Sequence, residues 1–113
     1  MTKYLISFPG KAMQIPVAEF QSVVDASHAV VQEAKDAGVW VFGGGINEEV
    51  EPVMVSGDGS VEQRTYPQTK ELDGGFTVLE VETRAEALEW ARKIAVACRC
   101  AQELREFQYD PAS

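Results

Sequence analysis

The stretch Thr69–Trp90, T-K-E-L-D-G-G-F-T-V-L-E-V-E-T-R-A-E-A-L-E-W, restricts the fold more than any other part of the chain. Gly74 and Gly75 mark a turn, because glycine enters every backbone region without steric cost. Phe76 to Glu82 follows as a β-rich run, with Phe76, Val78 and Glu80 on one face and Thr77, Leu79 and Val81 on the other. Thr83 and Glu86 make a T-x-x-E capping box, in which each side chain can satisfy a free N–H at a helix start. The spacing predicts a helix to about Ala97, with Ala87, Leu88, Ala91, Ile94 and Ala95 as its apolar stripe. Turn, strand, cap and helix follow with almost no spare residue, so a strand in one layer is tied directly to a helix in the next.

The first half repeats that plan. Lys3 to Phe8 reads as a strand ended by Pro9-Gly10. Val17 to Ala37 reads as a helix: Phe20, Val24, Ser27, Val31 and Ala34 recur at spacings of three and four, Val23 and Val30 widen the stripe, and Gly38 stops it. Val39 to Phe42, V-W-V-F, is continuously apolar and predicts a strand buried on both faces, with Gly43, Gly44 and Gly45 as a loop after it. Pro52–Ser56 and Ser60–Thr65 flank Gly57-Asp58-Gly59 as a hairpin. Ala101 to Tyr109 is a last, partly exposed strand. The order β-α-β, hairpin, β-α-β predicts one α+β domain over residues 1–113, a ferredoxin-like βαβ-βαβ sandwich with an inserted hairpin and both helices on one face of the sheet. Residues such as Tyr4, Ile6, Trp40, Phe42, Val78 or Leu79 on the other face would need a cover, and a two-fold homodimer stacking sheet on sheet supplies one.

Composition removes several function classes. Eighteen acidic against ten basic residues leave a net charge of -8, which argues against a general nucleic-acid binder, because such a surface must displace counterions from phosphates. No apolar run approaches the roughly 20 residues that span a bilayer, and the N-terminus has no signal-peptide pattern, so no membrane partner and a cytoplasmic location are expected. Cys98 and Cys100 with a single histidine cannot complete a tetrahedral zinc set, and the G-x-G-x-x-G and G-x-x-x-x-G-K-[ST] spacings are both absent; no cofactor or metal is expected. The cysteine pair reads as small packing side chains in a reducing compartment.

His28 is the one histidine, and so the one side chain whose ordinary ionisation lies near neutrality. At 100° per residue it sits about 90° from the centre of its helix's apolar stripe. Asp25 and Gln32 are three residues before it and four after, within reach on one surface, while Asp36 is roughly 80° round and two turns on. A carboxylate beside an imidazole fixes its tautomer, as a general base requires. The plainer reading is a boundary histidine that packs or hydrogen-bonds. Tyr4, Ser7, Tyr66, Lys70 and Arg105 are polar candidates for a pocket near the sheet and the glycines, Lys70 and Arg105 being suited to an anionic ligand and also to ordinary surface charge.

Thr69-Lys70-Glu71, then Gly74-Gly75-Phe76, V-L-E-V and A-L-E-W-A, resembles the YCII-related family, and within it the DGPF subgroup. His28, Gly38-Val39, the triple glycine and Glu103-Leu104-Arg105 extend the resemblance over nearly the whole chain. It implies a ferredoxin-like subunit that dimerises as an α/β barrel, on a scaffold shared with lactone isomerases and dehydrochlorinases. It also implies a catalytic His–Asp pair, and for some DGPF proteins an association with extracytoplasmic-function sigma factors. The subgroup's name motif would fall just before Thr69, where this chain has Gln63, Arg64, Thr65 and Tyr66; only the aromatic position survives. Two functions are therefore expected. One is a small organic ligand, anionic or carbonyl-bearing, held near the sheet and dimer interface, with isomerase- or lyase-type acid/base chemistry by His28 and Asp25 or Asp36 and with Tyr4, Tyr66, Lys70 and Arg105 as ligand contacts. The other is a non-catalytic dimeric regulatory or interaction module, linked to transcription.

Overall fold

In the computed structural model, which describes residues 1–113, the chain forms β1 (Thr2–Phe8), α1 (Phe20–Asp36), β2 (Trp40–Gly45), β3 (Met54–Val55), β4 (Val61–Glu62), β5 (Gly75–Val81), α2 (Arg84–Cys98) and β6 (Glu103–Glu106). Four strands make one sheet in the order β2-β5-β1-β6, every neighbouring pair antiparallel. This is an α+β architecture compatible with the ferredoxin-like fold. No helix is long and apolar enough to cross a membrane.

Register decides which side chains meet the helices. Tyr4 pairs with Leu79, and Ile6 with Thr77 on one side and Leu104 on the other. These positions face α1 and α2, where Ile6, Leu79, Ala34 and Ala91 pack together beside Trp40, Trp90 and Ile94. Tyr4, Val81 and Ala87 form a second cluster toward the start of α2. Ile6, Leu79 and Val81 are at most 1% exposed, and each contributes about 1.5–3 kcal/mol by leaving water. On the side predicted to need a cover lie Leu5, Phe42, Phe76 and Val78; Tyr4, Ile6 and Leu79 are not there but in the core.

The helix boundaries have local causes. Val17–Glu19 is a 3-10 turn and α1 proper begins at Phe20, later than the apolar pattern predicts, because Pro16 opens the turn and no side chain caps Glu19. At the other end Gly38 takes φ +74, its N–H bonds Lys35 O and the Val39 N–H bonds Ala34 O, the paired bonds of a glycine-terminated helix. The Thr83 half of the capping box is formed, with Oγ1 accepting from Glu86 N at 3.1 Å. Along α2 the small residues Ala87 and Ala91 sit against the sheet, and Leu88 turns out to be 52% exposed rather than part of the buried stripe.

Three expectations change. The V-W-V-F run is not buried on both faces. β2 is an edge strand paired only with β5, a bulge falls between Trp40 and Phe42, and Val41 and Phe42 are 47% and 66% exposed. Gly43–Gly45 are strand rather than loop, paired with Thr77, Phe76 and Gly75. The last strand shrinks to Glu103–Glu106. The hairpin forms, but as two residues on each side, closed by Ser56 N to Ser60 O at 2.9 Å with Gly59 at φ +90. It makes a sheet of its own, and from Ile46 to Arg64 every residue except Met54 is exposed. The radius of gyration, 15.7 Å, exceeds the value of about 13 Å for a compact domain of this length, and the molecule is a slab 44 × 43 × 20 Å.

Candidate functional site

Between α1, the end of the sheet and the last turn of α2 lies a cleft of about 670 Å³. The helical period builds its outer wall: Val24, His28, Val31, Gln32 and Lys35 recur at spacings of three and four. Its inner end is the buried surface of Val23, Ala34, Ala97 and Cys98. Its floor is Thr77, Trp40 and the backbone of Gly43–Gly45. A methyl on Gly43 would come 2.6 Å from Trp40 Cη2, so the missing side chain is what lets the indole lie over the strand.

The turn before β5 lies beside the cleft's Gly75 and is tied to both neighbouring strands. Asp73 Oδ1 accepts from Gly10 N at 2.9 Å, and Gly74 O accepts from Ile46 N at 2.9 Å. Gly74 lies so close to the end of β1 that a Cβ would stand 1.9 Å from Phe8 O. The D-G-G segment thus joins the ends of β1 and β2 to the start of β5.

The cleft is apolar with a polar rim. His28, Gln32 and Lys35 are exposed, and Ser27, Thr77 and Gln102 are partly so. Not one Asp or Glu lines it, although the chain holds 18. The Lys35 ammonium stands 5.9 Å from the Trp40 ring centroid, within cation–π range. At the inner end burial pushes the Cys98 thiol up, with Cys100 adding to the effect. Cys100 is also raised by burial, against a hydrogen bond from Gln102. No group of three or more His, Cys, Asp or Glu comes together in a way that could hold a metal ion.

The family model for the YCII-related domain matches residues 3–106, nearly the whole chain. The chain belongs to the YCII-related family. No curated protein matches the sequence.

In this YCII-related protein the candidates taken from the sequence separate. Of the proposed acid/base group, His28 lines the cleft; Asp25 and Asp36 are on the same helix but outside the lining. Asp25 Oδ1 accepts from Gln21 Nε2 at 2.9 Å, and Asp36 Oδ1 from Gln32 Nε2 at 2.9 Å. Gln32 therefore lies one turn from each of His28 and Asp36, bonded to Asp36. Tyr4 is buried beside Val81 and Ala87; burial pushes its phenol up, and the neighbouring Glu106 carboxylate adds to this. Tyr66 is 64% exposed at the start of the 3-10 turn Pro67–Thr69, and Lys70 ends that turn, exposed. Arg105 pairs with Leu5, faces away from the helices and lies 3.5 Å from Glu103. Ser7 is buried, 3% exposed. None of these five lines the cleft.

Lys35, Trp40 and Thr77 line the cleft without having been sequence candidates. Lys35 had a readable signal: it is two turns beyond His28, so the two share a helix face. Trp40 and Thr77 had none, because they meet α1 only through the sheet register.

Proposed function

We propose that this YCII-related protein binds a small organic ligand in the cleft under α1 and that His28 carries a proton to or from it. One observation carries the reading: the chain's only histidine stands on the rim of an apolar cleft of about 670 Å³. The chemistry suited to one imidazole is isomerisation or elimination. The ring nitrogen takes a proton from a carbon next to a carbonyl, then returns it to another atom of the ligand or gives it up as a leaving group departs. Asp25, one turn before His28, is placed to orient the imidazole after a change of rotamer, whereas Asp36, two turns on, is too far for direct contact and acts only through Gln32, which donates to it.

The assembly proposed is a homodimer closing an α/β barrel. Leu5, Phe76 and Val78 are half-buried and Phe42 exposed on the sheet face without helices, and the hairpin arm offers Val50, Val53, Val55 and Val61 to a partner. This arm also favours the regulatory reading, since it is an interaction surface outside the cleft. Within the family we place the chain in the DGPF branch on Thr69-Lys70-Glu71 and Gly74-Gly75-Phe76. The two free cysteines, Cys98 and Cys100, agree with a cytoplasmic location.

The test is a thermal-shift screen of small carbonyl compounds on wild type and His28→Asn. Hits are then followed in D₂O by ¹H NMR for loss of the proton next to the carbonyl. Wild type should exchange that proton and His28→Asn should bind without exchanging it. Binding with equal exchange in both proteins would remove His28 from the chemistry. Binding without exchange in either would leave the regulatory module.

A further inference from the structure

We infer that the cleft selects a ligand with a negative charge on a flat apolar body, and that Lys35 is the residue that holds the charge; the inference rests on the cleft's being the ligand site. Three observations converge. First, seven of the ten basic side chains are in ion pairs with carboxylates: Lys3, Lys11, Arg64, Arg92, Lys93, Arg99 and Arg105. Lys35, Lys70 and Arg84 are not, and of those three only Lys35 lines the cleft. In a chain with 18 carboxylates an unpaired lysine at a cleft rim is a free positive charge awaiting a partner. Second, the lining contains no Asp or Glu to repel an anion or to neutralise Lys35 from within. Third, Lys35 Nζ stands over the Trp40 ring at 5.9 Å, and Trp40 belongs to the floor. A flat apolar ligand lying on that floor against Trp40 and Val31 would bring an attached carboxylate within reach of the ammonium. Lys35 would then exchange a weak ring contact for a charge-assisted hydrogen bond, about twice as strong as a neutral one.

The alternative recognition group is the backbone of Gly43–Gly45, which would favour a neutral carbonyl or amide through hydrogen bonds. The edge position of β2 exposes that backbone. It does not account for the exclusion of carboxylates from the lining, which a neutral ligand would not require.

The experiment uses two probes of the same shape, 2-naphthoate and 2-naphthamide, titrated into the full ¹⁵N-labelled chain and followed by two-dimensional amide NMR. Cleft amides, those of Ser27, His28, Gln32 and Gly44, should shift with both. Naphthoate should bind about tenfold more tightly, the effect of one charge pair at a partly hydrated rim. The preference should shrink in 0.5 M salt, disappear in Lys35→Gln, survive in Lys35→Arg and be untouched in Arg84→Gln, whose guanidinium is unpaired but outside the cleft. Equal affinities in wild type, or a preference that persists in Lys35→Gln, would overturn the role of Lys35 while leaving the cleft as a binding site. Shifts confined to residues outside the cleft would overturn the site reading itself and this inference with it.

Discussion

Replacing Gly74 by alanine tests why the glycine pair before β5 stands where it does. The new methyl would lie 1.9 Å from Phe8 O and 2.8 Å from Gly10 N, where a separation under 3.0 Å essentially never occurs. Gly74 does not have a positive φ, so the conflict is one of contact rather than of dihedral angle. Both neighbours are backbone atoms, and no flexible side chain can swing away. The turn must retreat from β1 by about 1 Å, an overpacking strain of roughly 1–3 kcal/mol. That movement pulls on Gly10 N to Asp73 Oδ1 and Ile46 N to Gly74 O, both 2.9 Å, each contributing about 1 kcal/mol net. The combined loss is about 3–5 kcal/mol. At an unfolding entropy of roughly 2 cal/mol/K per residue, this lowers Tm by about 13–22 °C for a chain of 113 residues. Differential scanning calorimetry with urea unfolding at 25 °C measures both quantities. Gly44→Ala is the control: a Cβ there meets nothing within 4 Å, and stability should stay within about 0.5 kcal/mol. A Gly74→Ala protein as stable as wild type would refute the claim that close backbone approach, rather than turn conformation, dictates this glycine.

Two further outcomes are expected. The proposed homodimer predicts that Phe42→Lys, which places a charge on the open sheet face beside Val78 at a position already 66% exposed, converts dimer to monomer in light scattering after size exclusion with unchanged far-ultraviolet circular dichroism, and a wild type that runs as a monomer would refute the assembly. Tyr4 has its phenol raised above the ordinary value of about 10, first by burial and then by Glu106. The folded state therefore holds that proton after the unfolded chain has lost it, and stability should fall as pH rises above about 10; Tyr4→Phe should flatten this slope in urea titrations between pH 8 and 11.

Much of the fold was legible because its signals are local. Gly38 ends α1 and Thr83 begins α2 through bonds within a few residues. The alternation along Phe76–Val81 puts Leu79 and Val81 on one face together, as the structure has them, but does not tell which face meets the helices, and Leu79, expected on the face that needs a cover, lies in the core. What failed depends on neighbours distant in sequence. An apolar V-W-V-F run reads alike for a central strand and for an edge strand whose outer side chains wait for another surface. Leu88 looked like part of a stripe because leucine is apolar, whereas the register of α2 on the sheet is set by Ala87 and Ala91, the small residues that permit close approach.

The cleft was legible only where one element supplies it. His28, Gln32 and Lys35 share a face of α1, a relation the helical period already contains, while the distance from that face to Trp40 and Thr77 depends on the order β2-β5-β1. Tyr66 reads as a polar ligand contact and Lys70 and Arg105 as anion contacts by residue type; the topology places the first two on a surface turn and Arg105 on the far face of the sheet. Net charge carries no information about the cleft either way. At -8 the average field of the chain opposes anions, but binding responds to the local field, and the local field is set by which side chains line the wall. A chain that puts all 18 of its carboxylates outside one cleft, and leaves there a lysine without an ionic partner, has separated its local electrostatics from its composition. An acidic protein can in this way receive an anion: its overall charge slows the approach, and the proposed site favours a ligand whose charge arrives beside Lys35, where no carboxylate lines the wall.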